Sequence, residues 1–136
     1  MGTKQTIIVR SDLNMRRGKE IAQGSHASIA FITRQLQNRT TLMDRILRYF
    51  GLYRLVITPE QHQWISNGFT KVCLKCDTEQ QLLDVAAKAR AAGLEVNVVE
   101  DSGRTEFNNV PTRTCVAIGP DNAEKIDPIT KPFRLY

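Results

Sequence analysis

Two short stretches carry residues able to do chemistry. Glu100-Asp-Ser-Gly-Arg-Thr105 sets an acid, a hydroxyl, a glycine, a base and a second hydroxyl at the end of the apolar run Leu94–Val99. Far upstream, Lys19, Gln23 and His26 stand at helical spacing just after the polar loop Asp12–Gly18. A cation, a carboxylate, a hydroxyl and an imidazole drawn into one cleft could orient water and meet developing negative charge. Each also has an ordinary reading: Asp101, Ser102 and Gly103 as turn formers, Lys19 as a solvated helix-start residue, His26 as a packed or capping histidine.

Other chemistries find no support in the motifs. Gly18-Lys19 lacks the upstream glycine and following Ser or Thr of a phosphate loop, and there is no G-x-G-x-x-G or G-x-S-x-G. No set of residues has metal-ligand spacing, and no cofactor is expected. Cys73-Leu-Lys-Cys76 matches C-x-x-C, but it lies within a predicted strand, where positions three apart face opposite ways. These are read as core cysteines, and the odd total of three cysteines fits a reducing compartment.

The elements that must position the candidates follow from periodicity. Gln5–Arg10 is a buried strand, and a helix runs from about Lys19 to Leu36. Its stripe Ile21, Ala22, Ser25, Ile29, Ile32 and Leu36 is expected to face the core, with Lys19, Gln23, His26 and Ala30 on a second line. Thr41–Tyr53 reads as a second helix. Thr58-Pro-Glu-Gln61 starts a third with a capping box, ending near Asn67-Gly68. Thr70–Cys76, the helix Thr78–Ala92 and the strand Leu94–Val99 form a βαβ unit, expected to pair its strands as parallel neighbours. Thr114–Ile118 is a fourth strand, Asp121–Ile126 a helical turn, and Ile129–Tyr136 an extended, docked tail. The fold class is α/β: one domain over residues 1–136, three layers, a small mixed sheet between helices. If the first strand and Leu94–Val99 are parallel neighbours, their carboxyl ends bring Asp101 and Thr105 to Lys19, Gln23 and His26.

Composition bounds the partners. The chain has 136 residues, 41% apolar and 24% charged, a globular composition. No apolar run approaches the roughly 18 residues needed to span a bilayer. No secretory signal is recognisable at the N-terminus, so no membrane partner and a cytoplasmic location are expected. Net charge is +5, which suits a polyanion. Residues 34–54 concentrate Arg34, Arg39, Arg45, Arg48 and Arg54 against Asp44 alone.

The ordered motifs resemble the type II, archaeal and eukaryotic class of peptidyl-tRNA hydrolases. They are Ile7-Ile-Val-Arg-Ser-Asp-Leu13, Met15-Arg-Arg-Gly-Lys19, Ala22-Gln-Gly-Ser-His-Ala27, Lys71-Val-Cys-Leu-Lys75, Ala89-Arg-Ala-Ala-Gly-Leu94, Glu100-Asp-Ser-Gly-Arg-Thr105, Ala117-Ile-Gly-Pro120 and Lys125-Ile-Asp127. The resemblance implies metal-independent hydrolysis of the ester between a peptide and the 3′ end of tRNA, a four-stranded mixed sheet flanked by helices, and a homodimer. It assigns catalysis to Lys19, Asp101 and Thr105, and support or substrate contact to Gln23, Ser25 and His26. Arg16, Arg17 and Arg104 flank the cleft and are expected to hold the acceptor stem and its unpaired 3′ end.

Residues of about 34–58 depart from the family pattern as a basic helical insertion. An RNA platform, a dimer contact and an amphipathic surface helix are open there, and a helix packed over the sheet with arginines outward is favoured. Pro132 also departs from the family ending and is expected to loosen a terminal strand. Alternatives from other classes are a catalytically idle relative binding RNA or protein, a hydrolase of another acyl ester or amide, and a thiol-redox protein.

Overall fold

The computed structural model of the chain describes residues 2–38 and 41–136; Arg39 of the basic cluster lies outside them. The elements are β1 (Thr3–Arg10), α1 (Arg17–Asn38), α2 (Leu42–Tyr49), α3 (Pro59–Ser66), β2 (Lys71–Cys76), α4 (Glu79–Ala91), β3 (Val96–Asp101), β4 (Thr112–Asn122), α5 (Ala123–Thr130) and β5 (Arg134–Leu135). They form a mixed α/β fold around a sheet ordered β3-β4-β1-β2-β5. β1 and β2 are parallel, β4 is antiparallel to β1 and β3, and β5 is antiparallel to β2.

Burial explains that order. β1 and β4 are apolar on both faces through Ile7-Ile8-Val9 and Cys115–Ile118, all nearly inaccessible, and these two strands take the centre. β2 exposes Lys71, Cys73 and Lys75 on one face and lies further out. The strands of the βαβ unit are therefore not neighbours, contrary to the sequence reading: β1 and β4 lie between β2 and β3. The sheet also has five strands rather than four. The fifth is a two-residue pairing of Leu135 with Leu74 and Arg134 with Lys75, so Pro132 does not prevent a terminal strand. The tail is not extended from Ile129, because α5 continues to Thr130.

Helices cover both faces. Ile8, Leu74, Val116 and Ile118 pack against Leu82, Val85, Ala86 and Ala89 of α4 and Ile126 of α5. Ile7, Val9, Cys115 and Ala117 pack against Met15 and Ala27. On that second side, Phe31 of α1 meets Trp64 of α3 edge-to-face at 6.1 Å.

The face that α1 buries differs from the expected one. Gln23, Ala27, Ala30 and Phe31 turn inward; Ile21 is 65% exposed and Ile29 50%. Ala27 and Ala30 let the helix lie close to the sheet, and the Gln23 amide finds hydrogen-bond partners beneath it. A stripe with a satisfied polar group and small side chains thus wins over the more aliphatic one.

Of the readings open for residues 34–58, the favoured one, a helix packed over the sheet, does not hold. α2 is capped by Thr41 and Asp44 in a reciprocal box, but among the described residues it packs against no strand. Its apolar side chains point outward: Leu42 is 72% exposed and Phe50 70%. Of the C-x-x-C pair, Cys76 is buried as expected, whereas Cys73 is exposed; all three cysteines are free. Among the described residues no helix is long and apolar enough to cross a membrane. None of their His, Cys, Asp and Glu side chains form a group of three or more able to hold a metal ion.

Candidate active site

The loop after β1 delivers Lys19. Met15, 6% exposed, anchors this loop in the core, and α1 begins two residues before the lysine. β3 ends on Asp101, and the chain then turns through Gly103. Gly103 has φ +80°, and a Cβ there would lie 2.2 Å from the carbonyl oxygen of Val110. Only glycine fits both the left-handed backbone and that approach. The Gly103 carbonyl accepts from the N–H groups of Phe107 (3.2 Å) and Asn109 (2.9 Å), which folds the loop back on itself.

Within this frame Lys19 Nζ donates to Asp101 Oδ1 at 2.7 Å and to Thr105 Oγ1 at 3.0 Å. The Phe107 ring lies beneath the same ammonium, 5.8 Å to its centroid. Asp101 Oδ1 also accepts from Gln23 Nε2 at 3.2 Å, and Oδ2 accepts from the Gly103 N–H at 2.9 Å. The Lys19 hydrogen bond holds the Asp101 carboxyl below its ordinary value; the Gly103 N–H, the Lys19 charge and Gln23 add to this, and desolvation opposes it. The carboxylate is therefore ionised at neutral pH. β1 and β3 are separated by β4, so the condition of neighbouring strands fails. The residues converge because α1 crosses that sheet face and packs against both β4 and β3.

The family matched over residues 3–136 is Peptidyl-tRNA hydrolase PTH2. The chain belongs to that family. Among similar proteins, the peptidyl-tRNA hydrolase of Methanocaldococcus jannaschii is 35% identical over 97% of this chain and 98% of its own length. That of Nanoarchaeum equitans is 35% identical over 98% of each. A probable peptidyl-tRNA hydrolase 2 of Dictyostelium discoideum is 32% identical over 98% of this chain and 54% of its own length.

In this PTH2-family chain the other candidates fall in different places. Arg16 is tied to Glu106, whose Oε1 accepts from Nε at 2.7 Å; that hydrogen bond draws the Glu106 carboxyl below its ordinary value. Arg17 and Arg104 are exposed and make no ion pair among the described residues. Ser25 returns its hydroxyl to the Ile21 carbonyl at 2.8 Å. His26 is exposed, and neither Ser25 nor His26 is hydrogen-bonded to the cluster. Sequence reasoning missed Thr114: this fully buried hydroxyl donates to Gln23 Oε1 at 2.6 Å, which sets the amide so that its NH2 faces Asp101. It also missed Phe107 and Glu106. Their only signal was nearness to the Asp101 loop, because Thr114 reads as one more β-branched strand residue.

Proposed function

We propose that the chain hydrolyses the ester joining a peptide to the 3′ end of tRNA, recycling peptidyl-tRNA released from ribosomes, with Lys19, Asp101 and Thr105 doing the chemistry. Family membership supports the reaction, and the observation that carries the site is the Lys19–Asp101–Thr105 hydrogen-bond cluster. A carboxylate held below its ordinary pKa is a poor proton acceptor. Asp101 therefore acts mainly by orienting the attacking water and by fixing Lys19. An ammonium has three donors; two of them serve Asp101 and Thr105. The third meets the oxygen on which negative charge develops. The Thr105 oxygen accepts from Lys19, so its own O–H holds the water or the terminal ribose hydroxyl.

Water adds to the ester carbonyl and the ribose oxygen departs with a proton, leaving free peptide and tRNA. The reaction runs without a metal. Arg17 and Arg104 bind acceptor-stem phosphates, with Arg16 held back by Glu106. Gln23 holds Asp101 in place rather than touching substrate. The working unit is a homodimer in the cytoplasm; the outward Ile21 and Ile29, beside Cys73 and Tyr136, line an apolar groove of about 500 Å³ that suits a second copy.

The test is acyl release from an N-blocked aminoacyl-tRNA, with chelator present and an unblocked substrate alongside. Release is expected from the blocked substrate alone. Asp101→Asn should cut turnover by at least about 100-fold while tRNA binding persists. Binding without turnover in the parent protein would instead identify a catalytically idle relative.

A further inference from the structure

The segment that the proposed reaction leaves unused is also the most unusual part of the surface. At about 100° per residue, Leu42, Met43, Ile46 and Tyr49 of α2 and Phe50 at its C-terminal cap share one arc, and Asp44 and Arg48 share the opposite one. In a helix lying on a protein body the apolar arc faces inward. Here the polar arc does: Asp44 is 4% exposed and accepts from Arg54 at 3.2 Å, while Arg48 donates to the Leu36 carbonyl at 2.9 Å. The apolar arc faces solvent, with Tyr49 86% exposed.

A contiguous outward patch of this kind marks a binding surface, and its surroundings select the occupant. From residue 41 to 57 the charged residues are Arg45, Arg48, Arg54 and Asp44, so the only acid is the buried one. A second copy docked here by two-fold symmetry would set the same arginines against each other with no exposed acid between them. Single-stranded RNA is held on aromatic faces, whereas Leu42, Met43 and Ile46 make most of this arc non-aromatic. α1 also runs 19 residues from Lys19 to Asn38 before α2 begins, which at about 1.5 Å per residue separates its two ends by roughly 28 Å. Aliphatic anchors, a tyrosine and a phenylalanine rimmed by arginine match a helix lying in a lipid headgroup layer.

We infer that α2 is a peripheral docking element for an anionic membrane surface. Among the described residues no helix is long and apolar enough to cross a membrane, and lying on a membrane surface needs no such helix. With α2 on the surface, the Lys19–Asp101 end of α1 stays in solution and is open to substrate.

The full-length chain would be floated with vesicles of phosphatidylcholine alone and with vesicles containing phosphatidylglycerol. Binding is expected to the anionic vesicles and to weaken with added salt. Ile46→Asn with Phe50→Ser should reduce it at least tenfold, and Arg45→Gln should weaken it less. All these positions are exposed, so each variant should keep the parent's thermal midpoint. Failure of the parent to bind anionic vesicles, or binding untouched by Ile46→Asn/Phe50→Ser, overturns the inference. A dimer abolished by Phe50→Ser, without vesicle binding, would assign the patch to a second copy instead.

Discussion

Replacing Thr114 by valine keeps the shape of a fully buried side chain and removes one hydroxyl. That hydroxyl is the 2.6 Å donor to Gln23 Oε1, and Gln23 is itself only 2% exposed. In Thr114→Val the amide oxygen loses this donor where water does not reach it, at a cost of about 1–3 kcal/mol. Rotating the amide gives no escape, because its oxygen would then face the Asp101 carboxylate in place of the 3.2 Å Nε2 contact. Global stability should fall by that amount in denaturant unfolding. Asp101 loses part of its alignment, and a transition-state loss of about 1.4 kcal/mol corresponds to roughly a tenfold drop in kcat. KM for the blocked aminoacyl-tRNA should hold, since a side chain with no exposure touches no RNA. Thr114→Ser restores the donor and should recover both readouts. Turnover of Thr114→Val within about twofold of the parent, or a serine variant as poor as valine, would refute the reasoning.

Other expectations concern titration. Asp101 should titrate below the ordinary carboxylate value near 3.9, and its carboxyl carbon shift should show this by NMR. Its folded pKa is depressed, so the stability it contributes is complete above the ordinary value and is lost as pH falls through the lowered one. Lys19→Met removes the largest cause of that depression and should raise the Asp101 titration; an unmoved midpoint would contradict the assigned cause. Burial pushes the Cys76 thiol up to about 11 and the Cys115 thiol up to about 12. A thiol reagent at mildly alkaline pH should therefore leave Cys76 and Cys115 unmodified in the folded protein. Rapid modification of Cys76 or Cys115 would show that the core opens more readily than its packing implies.

Local signals carried much of this protein. The Thr58–Gln61 capping box, the β-branched run of β1, and the Thr78 start and Gly93 end of α4 depend on chemistry within a few residues, and each element formed where its residues indicated. Lys19, Asp101 and Thr105 stood out as candidates because their types, at a helix start, a strand end and the loop after it, suit a reaction, and the family motifs strengthened that reading. What needed the tertiary structure was every choice between competing partners. α1 carries two stripes able to face inward, and only the close approach at Ala27 and Ala30, with Thr114 ready to satisfy Gln23, decided for the more polar one. The order of the strands turned on which runs could be buried on both faces, a property of the assembled sheet. α2 shows the limit most clearly. Its amphipathic pattern was plain in the sequence, but periodicity gives the angle between two faces and not which one meets the protein. That direction was set by Asp44, Arg54 and the Leu36 carbonyl, groups that come together only once the chain has folded.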